Sequence, residues 1–143
     1  MPKLAVERAR VTTLGLEGDS QHDTAHHGGP ERAVCLFSAE RIEALAGEGH
    51  PIGSGTTGEN LTIHGLDWPA VVPGLRLRVG DACVLEVTRY TTPCTTIAGS
   101  FADGEFSRIL ETKHPGWSRV YARVLVEGEV RTGDAVEVLA GGV

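Results

Sequence analysis

Two Gly-Asp pairs constrain the fold of this 143-residue chain more than any other feature. Gly80-Asp81 lies between residues 75–79 and 83–87, and in both stretches apolar residues occupy alternate positions. Gly133-Asp134 precedes a similar alternation over residues 136–138. Alternating apolar residues indicate strands with one buried face, and Gly-Asp is a frequent turn between strands. The sequence therefore predicts a mainly β fold, a barrel or folded sheet rather than parallel strands covered by helices.

The other predicted elements are fewer and shorter. A continuous apolar run over residues 33–37 predicts a buried strand, and the helix that follows is capped by Ser38 and ends at Gly47. Residues 60–63 predict a short strand, and residues 120–126 predict the last long one. Asp103 is predicted to cap a second helix, with Phe106, Ile109 and Leu110 turned inward. No linker composition interrupts this series, so we expect a single domain over residues 1–143.

Composition excludes several classes of protein. Apolar residues make up 41% and charged residues 22%, which is typical of a globular chain. The net charge of −6 and the lack of a basic run argue against nucleic acid or an anionic membrane as partner. No apolar stretch approaches the roughly 20 residues of a spanning helix, and the charged first ten residues do not resemble a secretory signal. Three cysteines without zinc-type spacing predict free thiols in a reducing cytoplasm.

One cysteine differs in its surroundings from the other two. Cys35 and Cys83 lie inside apolar runs and are predicted to be core residues. Cys94 follows a predicted strand in the polar segment Thr91-Thr92-Pro93-Cys94-Thr95-Thr96. This position suits a reactive or metal-binding thiol, especially if His27 or Arg89 lies close enough to favour the thiolate. An ordinary cysteine in a turn is an equally good interpretation of these residues.

A polar loop upstream carries a second candidate site. Asp19, His22, Asp23 and His26 are spaced by three or four residues, so one helical turn would place them on a common face that could bind zinc. The surrounding glycines favour instead a loop in which these side chains bond their own backbone. Gly28-Gly29, which comes next, would let the backbone approach a ligand closely.

Two further groups could bind a ligand or serve only the fold. Arg119, Tyr121 and Arg123 occupy alternate positions of a predicted strand, so both arginines could clamp an anion such as a phosphate. A solvated outer face explains the same pattern equally well. In Gly58-Glu59-Asn60, the glycine permits an unusual turn and Asn60 could bond a ligand, although an ordinary turn into a strand is favoured.

Taken in order, these motifs resemble the MOSC domain, a module found at the C-terminus of molybdenum cofactor sulfurases and in small stand-alone proteins. The resemblance covers most of the chain from about Leu14 and is nearest to the small bacterial branch that includes the hydroxylaminopurine-resistance proteins. It implies a MOSC-like β-barrel with two or three short helices. Thr91 and Thr57 depart from the branch, where an arginine and an aromatic residue are common. The motifs are Gly18-Asp19-Ser20-Gln21, His26-His27-Gly28-Gly29-Pro30, Gly58-Glu59-Asn60-Leu61-Thr62, Pro93-Cys94 and Gly116-Trp117 through Leu125.

The resemblance also implies a site and a cofactor. Cys94 would ligate molybdenum or carry sulfur, and His27 would be the second catalytic residue, acting as proton donor. The cofactor would be molybdopterin, and relatives in the superfamily use it to reduce N-hydroxylated compounds. The residues implied in binding it are Asp19, Gln21, Asn60, Arg119 and Arg123.

The leading hypothesis is therefore a cytoplasmic, molybdenum-dependent oxidoreductase that acts on a small-molecule substrate. It would need an electron-donor protein, because the sequence has no flavin or iron–sulfur motif, and a partner or homodimer to enclose the pterin. Three alternatives stay open: a sulfur carrier with a Cys94 persulfide, a zinc hydrolase on the Asp19/His22/His26 loop, and a non-catalytic interaction barrel.

Overall fold

The computed structural model describes residues 8–12, 15–16, 33–53 and 55–139. Within them, strands predominate, with one α-helix and four short 3₁₀ segments, so the predicted mainly β fold with few helices is confirmed. No helix in these ranges is long and apolar enough to cross a membrane. The strands are β1 (Arg8–Thr12), β2 (Gly15–Leu16), β3 (Val34–Ser38), β4 (Leu61–Ile63), β5 (Arg76–Val79), β6 (Cys83–Tyr90), β7 (Val120–Val126), β8 (Gly128–Arg131) and β9 (Val136–Leu139). The helix is α1 (Ala39–Gly47), and the 3₁₀ segments are Trp68–Ala70, Thr95–Ser100, Ala102–Gly104 and Phe106–Ile109.

The chain divides into two compact units, and each is built from separate stretches of sequence. The first unit takes Cys35–Val71 and Tyr90–Val120. The second takes Val72–Arg89 together with the described residues before Cys35 and after Val120. The single domain over residues 1–143 stays a prediction.

A parallel strand pair and its connecting helix belong, from Cys35 onward, to the first unit. β3 and β4 pair in parallel, with Leu36 opposite Leu61, and α1 lies between them in sequence. All five residues of β3 are buried, as the apolar run predicted. The Ser38 hydroxyl accepts the Arg41 N–H at 3.1 Å, and α1 ends at Gly47, so both predicted helix boundaries are confirmed.

The second unit is antiparallel. The predicted hairpin forms between β5 and β6, with Leu77 opposite Leu85 and Val79 opposite Cys83. In this unit the strand order is β7-β6-β5-β9, and a separate sheet has the order β2-β1-β8. The Gly133-Asp134 turn connects β8 and β9, as expected from the sequence.

Charged side chains pair across neighbouring strands of the second unit. Arg76 lies opposite Glu86 in the β5–β6 register, and its Nε donates to the carboxylate at 3.0 Å. Arg123 on β7 donates to the same carboxylate from its Nε at 2.7 Å. On the other side of β5, Arg78 pairs with Glu137 of β9. These cross-strand pairs explain why the alternate positions of β5 carry arginines and why Glu86 interrupts the apolar residues of β6.

The predicted second α-helix is wrong. The chain forms separate 3₁₀ segments over Ala102–Gly104 and Phe106–Ile109, and Asp103 has a positive φ of 56° rather than a capping conformation. Of the three residues expected to face inward, Ile109 is buried, whereas Phe106 and Leu110 are half-buried. Asp103-Gly104 is a turn-forming pair in which both residues tolerate the left-handed region, and this turn interrupts the helix.

Candidate functional site

Cys94 lies on the surface, where the chain leaves the buried Pro93 and enters the 3₁₀ segment Thr95–Ser100. Its Sγ is 2.8 Å from the hydroxyl Oγ1 of Thr96. This hydroxyl and the Thr96 backbone N–H lower the pKa of the Cys94 thiol, and the positive charge of Arg119 lowers it further. Partial burial acts in the opposite direction but does not outweigh them. The surroundings therefore favour the nucleophilic thiolate.

The other two cysteines are buried, as predicted. Burial raises the pKa of the Cys83 thiol to about 11, which keeps that thiol protonated at neutral pH. The Cys35 sulfur lies 3.9 Å from the hydroxyl of Thr91, inside the first unit. Cys94 is thus the chain's single exposed thiol.

Arg119 is the most unusual charged residue of the first unit. Only 6% of it is exposed, and its Nη1 donates to the Thr57 carbonyl at 2.6 Å. Its Nε is buried, and among the described residues this guanidinium has neither a hydrogen-bond partner at Nε nor a carboxylate within ion-pair distance. A buried cation without a counter-charge is costly, so this guanidinium is suited to bind an anion.

Backbone pairing explains why Arg119 acts on Cys94 despite the sequence distance between them. The Thr91 N–H donates to the Arg119 carbonyl at 2.9 Å. The Ser118 hydroxyl donates to the Thr91 carbonyl at 3.2 Å, which ties the same two segments a second time. The segment before Cys94 is therefore fixed directly against the segment that carries Arg119.

The loop that holds Arg119 is organised by Glu59, a residue for which the sequence analysis predicted no role. Glu59 is buried, and its carboxylate accepts from the Gly55 N–H at 2.7 Å, the Thr57 hydroxyl at 2.7 Å and the Thr62 hydroxyl at 3.0 Å. These bonds fix the loop in which the Thr57 carbonyl accepts from Arg119. The sequence signal that could have identified Glu59 is an acidic residue that lies between the hydroxyl residues Thr57 and Thr62 and directly after a glycine. That glycine, Gly58, has a positive φ of 81°.

Asn60, the other polar residue of this motif, braces the parallel strands. Its Oδ1 accepts the Cys35 N–H at 2.7 Å, and its own N–H donates to the Cys35 carbonyl at 2.8 Å. The Asn60 side chain therefore has a structural partner on β3. Its predicted contact with a cofactor stays a prediction.

Arg123, predicted to share a face with Arg119, lies on β7 in the second unit and pairs with Glu86. Its side chain is 44% exposed, whereas Arg119 precedes the strand and is buried. Of the two arginines, Arg119 is the one without a carboxylate partner among the described residues. Because Arg119 lies outside the strand, the alternation does not apply to it, and the two guanidinium groups lie in different environments.

Several predicted site residues lie outside the described residues. They are His27, Asp19 and Gln21, together with His22, Asp23 and His26 of the zinc alternative. Over the described ranges there is no group of three or more histidine, cysteine or acidic side chains that could hold a metal ion.

The Gly116-Trp117 motif has a local physical explanation. Gly116 has a positive φ of 87°, and a Cβ at this position would lie 3.3 Å from Pro69. The guanidinium carbons of Arg41 and Arg108 lie 4.2 and 4.1 Å from the Trp117 ring centroid, which is cation–π geometry. The contacts of Gly116 and Trp117 thus hold in place the turn that precedes Arg119.

Comparison with known proteins places these observations in a family. Residues 23–137 match the family model described as the MOSC domain. The chain is 37% identical over 130 residues to the uncharacterized protein YflK of Bacillus subtilis (strain 168) and 30% identical over 135 residues to protein YiiM of Escherichia coli (strain K12). A protein of Gibberella moniliformis (strain M3125 / FGSC 7600) named Reductase is 30% identical over 133 residues.

The same comparisons give the coverage of each protein. The matches cover 88%, 91% and 90% of this chain, but 56% of YflK, 58% of YiiM and 23% of the Reductase. The chain therefore spans little more than half the length of the first two relatives. The crystal structure of YiiM from Escherichia coli superposes with a TM-score of 0.72 over 96% of this chain and 65% of that one, at 26% identity.

Proposed function

Because this chain belongs to the MOSC domain family, we propose that it binds the molybdenum cofactor and acts as an oxidoreductase that reduces N-hydroxylated compounds, with Cys94 as metal ligand. The observation that carries the proposal is the exposed Cys94 thiol, with its lowered pKa, in the field of a buried arginine without a carboxylate partner among the described residues. The name of the Gibberella relative supports reduction as the class of reaction.

The described residues fit such a cofactor in two respects. Molybdenum accepts soft sulfur ligands, and Cys94 offers a sulfur already biased toward the thiolate. Molybdopterin carries a phosphate, and the unpartnered Nε of Arg119 is a buried donor suited to an anion. Arg119 fits the phosphate better than Arg123, because Glu86 already occupies the Arg123 guanidinium. When bound, the cofactor supplies two-electron oxygen-transfer chemistry.

The chain's own residues have separate tasks in this proposal. Thr96 orients the Cys94 sulfur through its hydroxyl, and its hydrogen bond favours the thiolate over the thiol. Glu59 and Thr57 fix the position of Arg119, which holds the anionic group. His27 would donate the proton that the reduced substrate needs, and Asp19, Gln21 and Asn60 would line the cofactor. We also propose a reducing cytoplasm, an electron-donor protein and a homodimer as the setting of this activity.

Elemental analysis together with pterin fluorescence tests this function. Protein made in a molybdenum-replete host should contain molybdenum and pterin in equal amounts. Cys94→Ser should lower the bound molybdenum, and Arg119→Gln should lower the bound pterin. Thr95→Val, a change at the exposed residue next to Cys94, should leave both amounts unchanged. Wild-type protein with no molybdenum above background, and no difference from Cys94→Ser, would contradict the proposal.

A sulfur carrier is the second candidate, and one observation favours it specifically. The Cys94 thiol is exposed and its pKa is lowered, and neither property depends on a bound metal. A thiolate is the form that accepts sulfur as a persulfide. Intact mass spectrometry should then find an addition of about 32 Da, one sulfur atom, that is lost on reduction and absent from Cys94→Ser.

A further inference from the structure

A cavity of about 180 Å³ lies beside the first turn of α1, and all of its lining residues belong to the first unit. None of the residues proposed above to hold the cofactor lines it. A water molecule takes about 30 Å³ of liquid, so this volume fits a ligand of roughly six to nine non-hydrogen atoms. The charged lining residues are Glu40, Arg41 and Asp67, and the apolar ones are Leu66, Trp68 and Pro69.

The cavity brings together charges of both signs that do not neutralise one another. Among the residues that the structure describes, no ion pair includes Glu40, Arg41 or Asp67. A ligand with a single charge would satisfy only one sign of this lining. A zwitterion, which carries a carboxylate and an ammonium group on one small molecule, complements both.

Arg41 is held by contacts that leave part of its guanidinium available. Its Nε donates to the Gly116 carbonyl at 3.0 Å, and its guanidinium carbon lies 4.2 Å from the Trp117 ring centroid. A Cβ on Gly116 would lie 3.5 Å from the Arg41 Nη2, so the glycine permits this close approach. Within the described part of the chain, no acceptor bonds the two Nη groups, which can therefore donate to a ligand carboxylate.

The two carboxylates of the cavity can accept from an ammonium group. Glu40 is oriented by the Gly65 N–H, which donates to its Oε2 at 2.9 Å, and by the Ser38 hydroxyl, which donates to its Oε1 at 3.3 Å. The Gly65 N–H lowers the pKa of Glu40, so this carboxylate is ionised at neutral pH. Asp67 is exposed and precedes the 3₁₀ segment Trp68–Ala70 without a side-chain hydrogen bond to it. Both carboxylates thus keep acceptor capacity.

Trp68 gives the cavity a fixed apolar wall. The residue is buried, and its Nε1 donates to the Ser118 carbonyl at 2.8 Å. Its ring meets that of Phe37 edge to face, with the centroids 6.3 Å apart. Leu66 and Pro69 extend the apolar lining. An aliphatic group on the ligand would lose contact with water against these side chains, which favours binding.

We propose that this cavity binds a free α-amino acid with a small aliphatic side chain. The ligand carboxylate accepts from the Nη groups of Arg41, and the ligand ammonium group lies toward Glu40 and Asp67. The aliphatic side chain packs against Trp68 and Pro69. This binding needs neither Cys94 nor a metal, so it goes beyond the function proposed above and is independent of it.

Three ligands that differ by one charged group test the proposal on the full chain. L-Valine carries both charges, isovalerate lacks the ammonium group, and isobutylamine lacks the carboxylate. Saturation-transfer NMR titrations at pH 7 should give valine a Kd on the order of 1 mM, as for a weak ligand of this size. The other two should bind at least about tenfold more weakly, because each loses a charge-assisted hydrogen bond. The net charge of −6 favours isobutylamine, so the overall field cannot produce a preference for valine.

Charge-removing variants locate the binding in the cavity. Arg41→Gln should weaken valine about tenfold, the effect of one lost charge-assisted bond, without weakening isobutylamine, which has no carboxylate. Asp67→Asn should weaken valine and isobutylamine but not isovalerate. Arg78→Gln in the β5–β9 pair and Glu43→Gln on the exposed face of α1 remove the same charges elsewhere and should leave all three affinities unchanged. If Arg41→Gln does not fold, Asp67→Asn and the three wild-type affinities still decide the matter.

Three outcomes would overturn the inference. One is a wild-type affinity for valine that does not exceed the affinities for both single-charge ligands. Another is an equal effect of Asp67→Asn and Glu43→Gln on valine binding. The third is an equal effect of Arg41→Gln and Arg78→Gln. Cys94→Ser should bind valine as the wild type does, so a failure of the chain to bind molybdenum leaves this result unaffected.

Discussion

A hydroxyl two residues along the chain has the largest effect on the state of the Cys94 sulfur. The Thr96 Oγ1 lies 2.8 Å from Sγ, and its hydrogen bond is the first cause of the lowered pKa. Because the donor is so near in sequence, it accompanies the cysteine wherever this segment is placed. Arg119 adds its charge only after the chain has folded.

Thr96→Val should raise the pKa of the Cys94 thiol, since valine cannot donate to the sulfur. Alkylation by iodoacetamide at pH 7 should slow by roughly threefold, the effect of losing one hydrogen bond of ordinary strength. The rate–pH profile should also move to higher pH. Thr95→Val, at the neighbouring exposed position, is the matched control and should keep the wild-type profile. Identical profiles for the two variants would show that the Thr96 hydroxyl does not lower the pKa of the Cys94 thiol.

The site could be predicted from the sequence only where local signals carry it. The polar surroundings of Cys94 and the apolar runs around Cys35 and Cys83 correctly separated one exposed thiol from two buried ones. The role of Glu59, and the bond that fixes Arg119 to Thr57, were not predictable in this way. The Thr57–Arg119 bond joins residues 62 positions apart, and no local pattern encodes such a contact.

At the level of elements, alternation and turn residues predicted the strands well, because a half-buried antiparallel strand has a fixed period of two. β5, β6 and β9 follow this rule. The parallel β3–β4 pair was not predicted as such, since a fully buried run has no period that reveals its partner. The helix predicted at Asp103 failed because the Asp103-Gly104 turn outweighed the spacing of the apolar residues.

Close packing in the second unit gives a prediction for β8. A Cβ at Gly128 would lie 2.9 Å from the backbone nitrogen of Cys83, so Gly128→Ala requires a backbone shift. We expect this change to lower the free energy of unfolding by about 1–3 kcal/mol, as measured by urea denaturation. Gly99→Ala, where a Cβ would meet no atom within 4 Å, should cost far less. Equal effects of the two changes would contradict the packing described for Gly128.

For the molecule as a whole, three carboxylates with lowered pKa values make the free energy of unfolding depend on pH. The Gly65 N–H lowers the pKa of Glu40, Arg108 lowers that of Glu48, and Arg76 with Arg123 lowers that of Glu86. Each group binds its proton more weakly in the folded chain than at its ordinary pKa of 4.5. The stability that they contribute is therefore fully present above that value and is lost as the pH falls through their lowered folded values.

Urea denaturation at pH 6 and at pH 3 should show this loss as a lower midpoint in acid. Glu86→Gln should reduce stability at pH 6 by about 1 kcal/mol or less, because its arginine partners are half-exposed, and should differ little from wild type in strong acid. Glu43→Gln, on the exposed face of α1, is the control. A Glu86→Gln deficit that grows as the pH falls would contradict a stabilising role of the ionised carboxylate.

Because the first unit is built from separate stretches of sequence, its residues around Cys94 are synthesised at different times. Thr57, Cys94 and Arg119 come from Cys35–Val71 and Tyr90–Val120, with a stretch of the other unit translated between them. A nascent chain in which Cys94 has been synthesised but Arg119 has not lacks the cation that lowers the pKa of this thiol. The pKa of the Cys94 thiol should therefore reach its lowered value only once synthesis has passed residue 119 and these stretches have packed together.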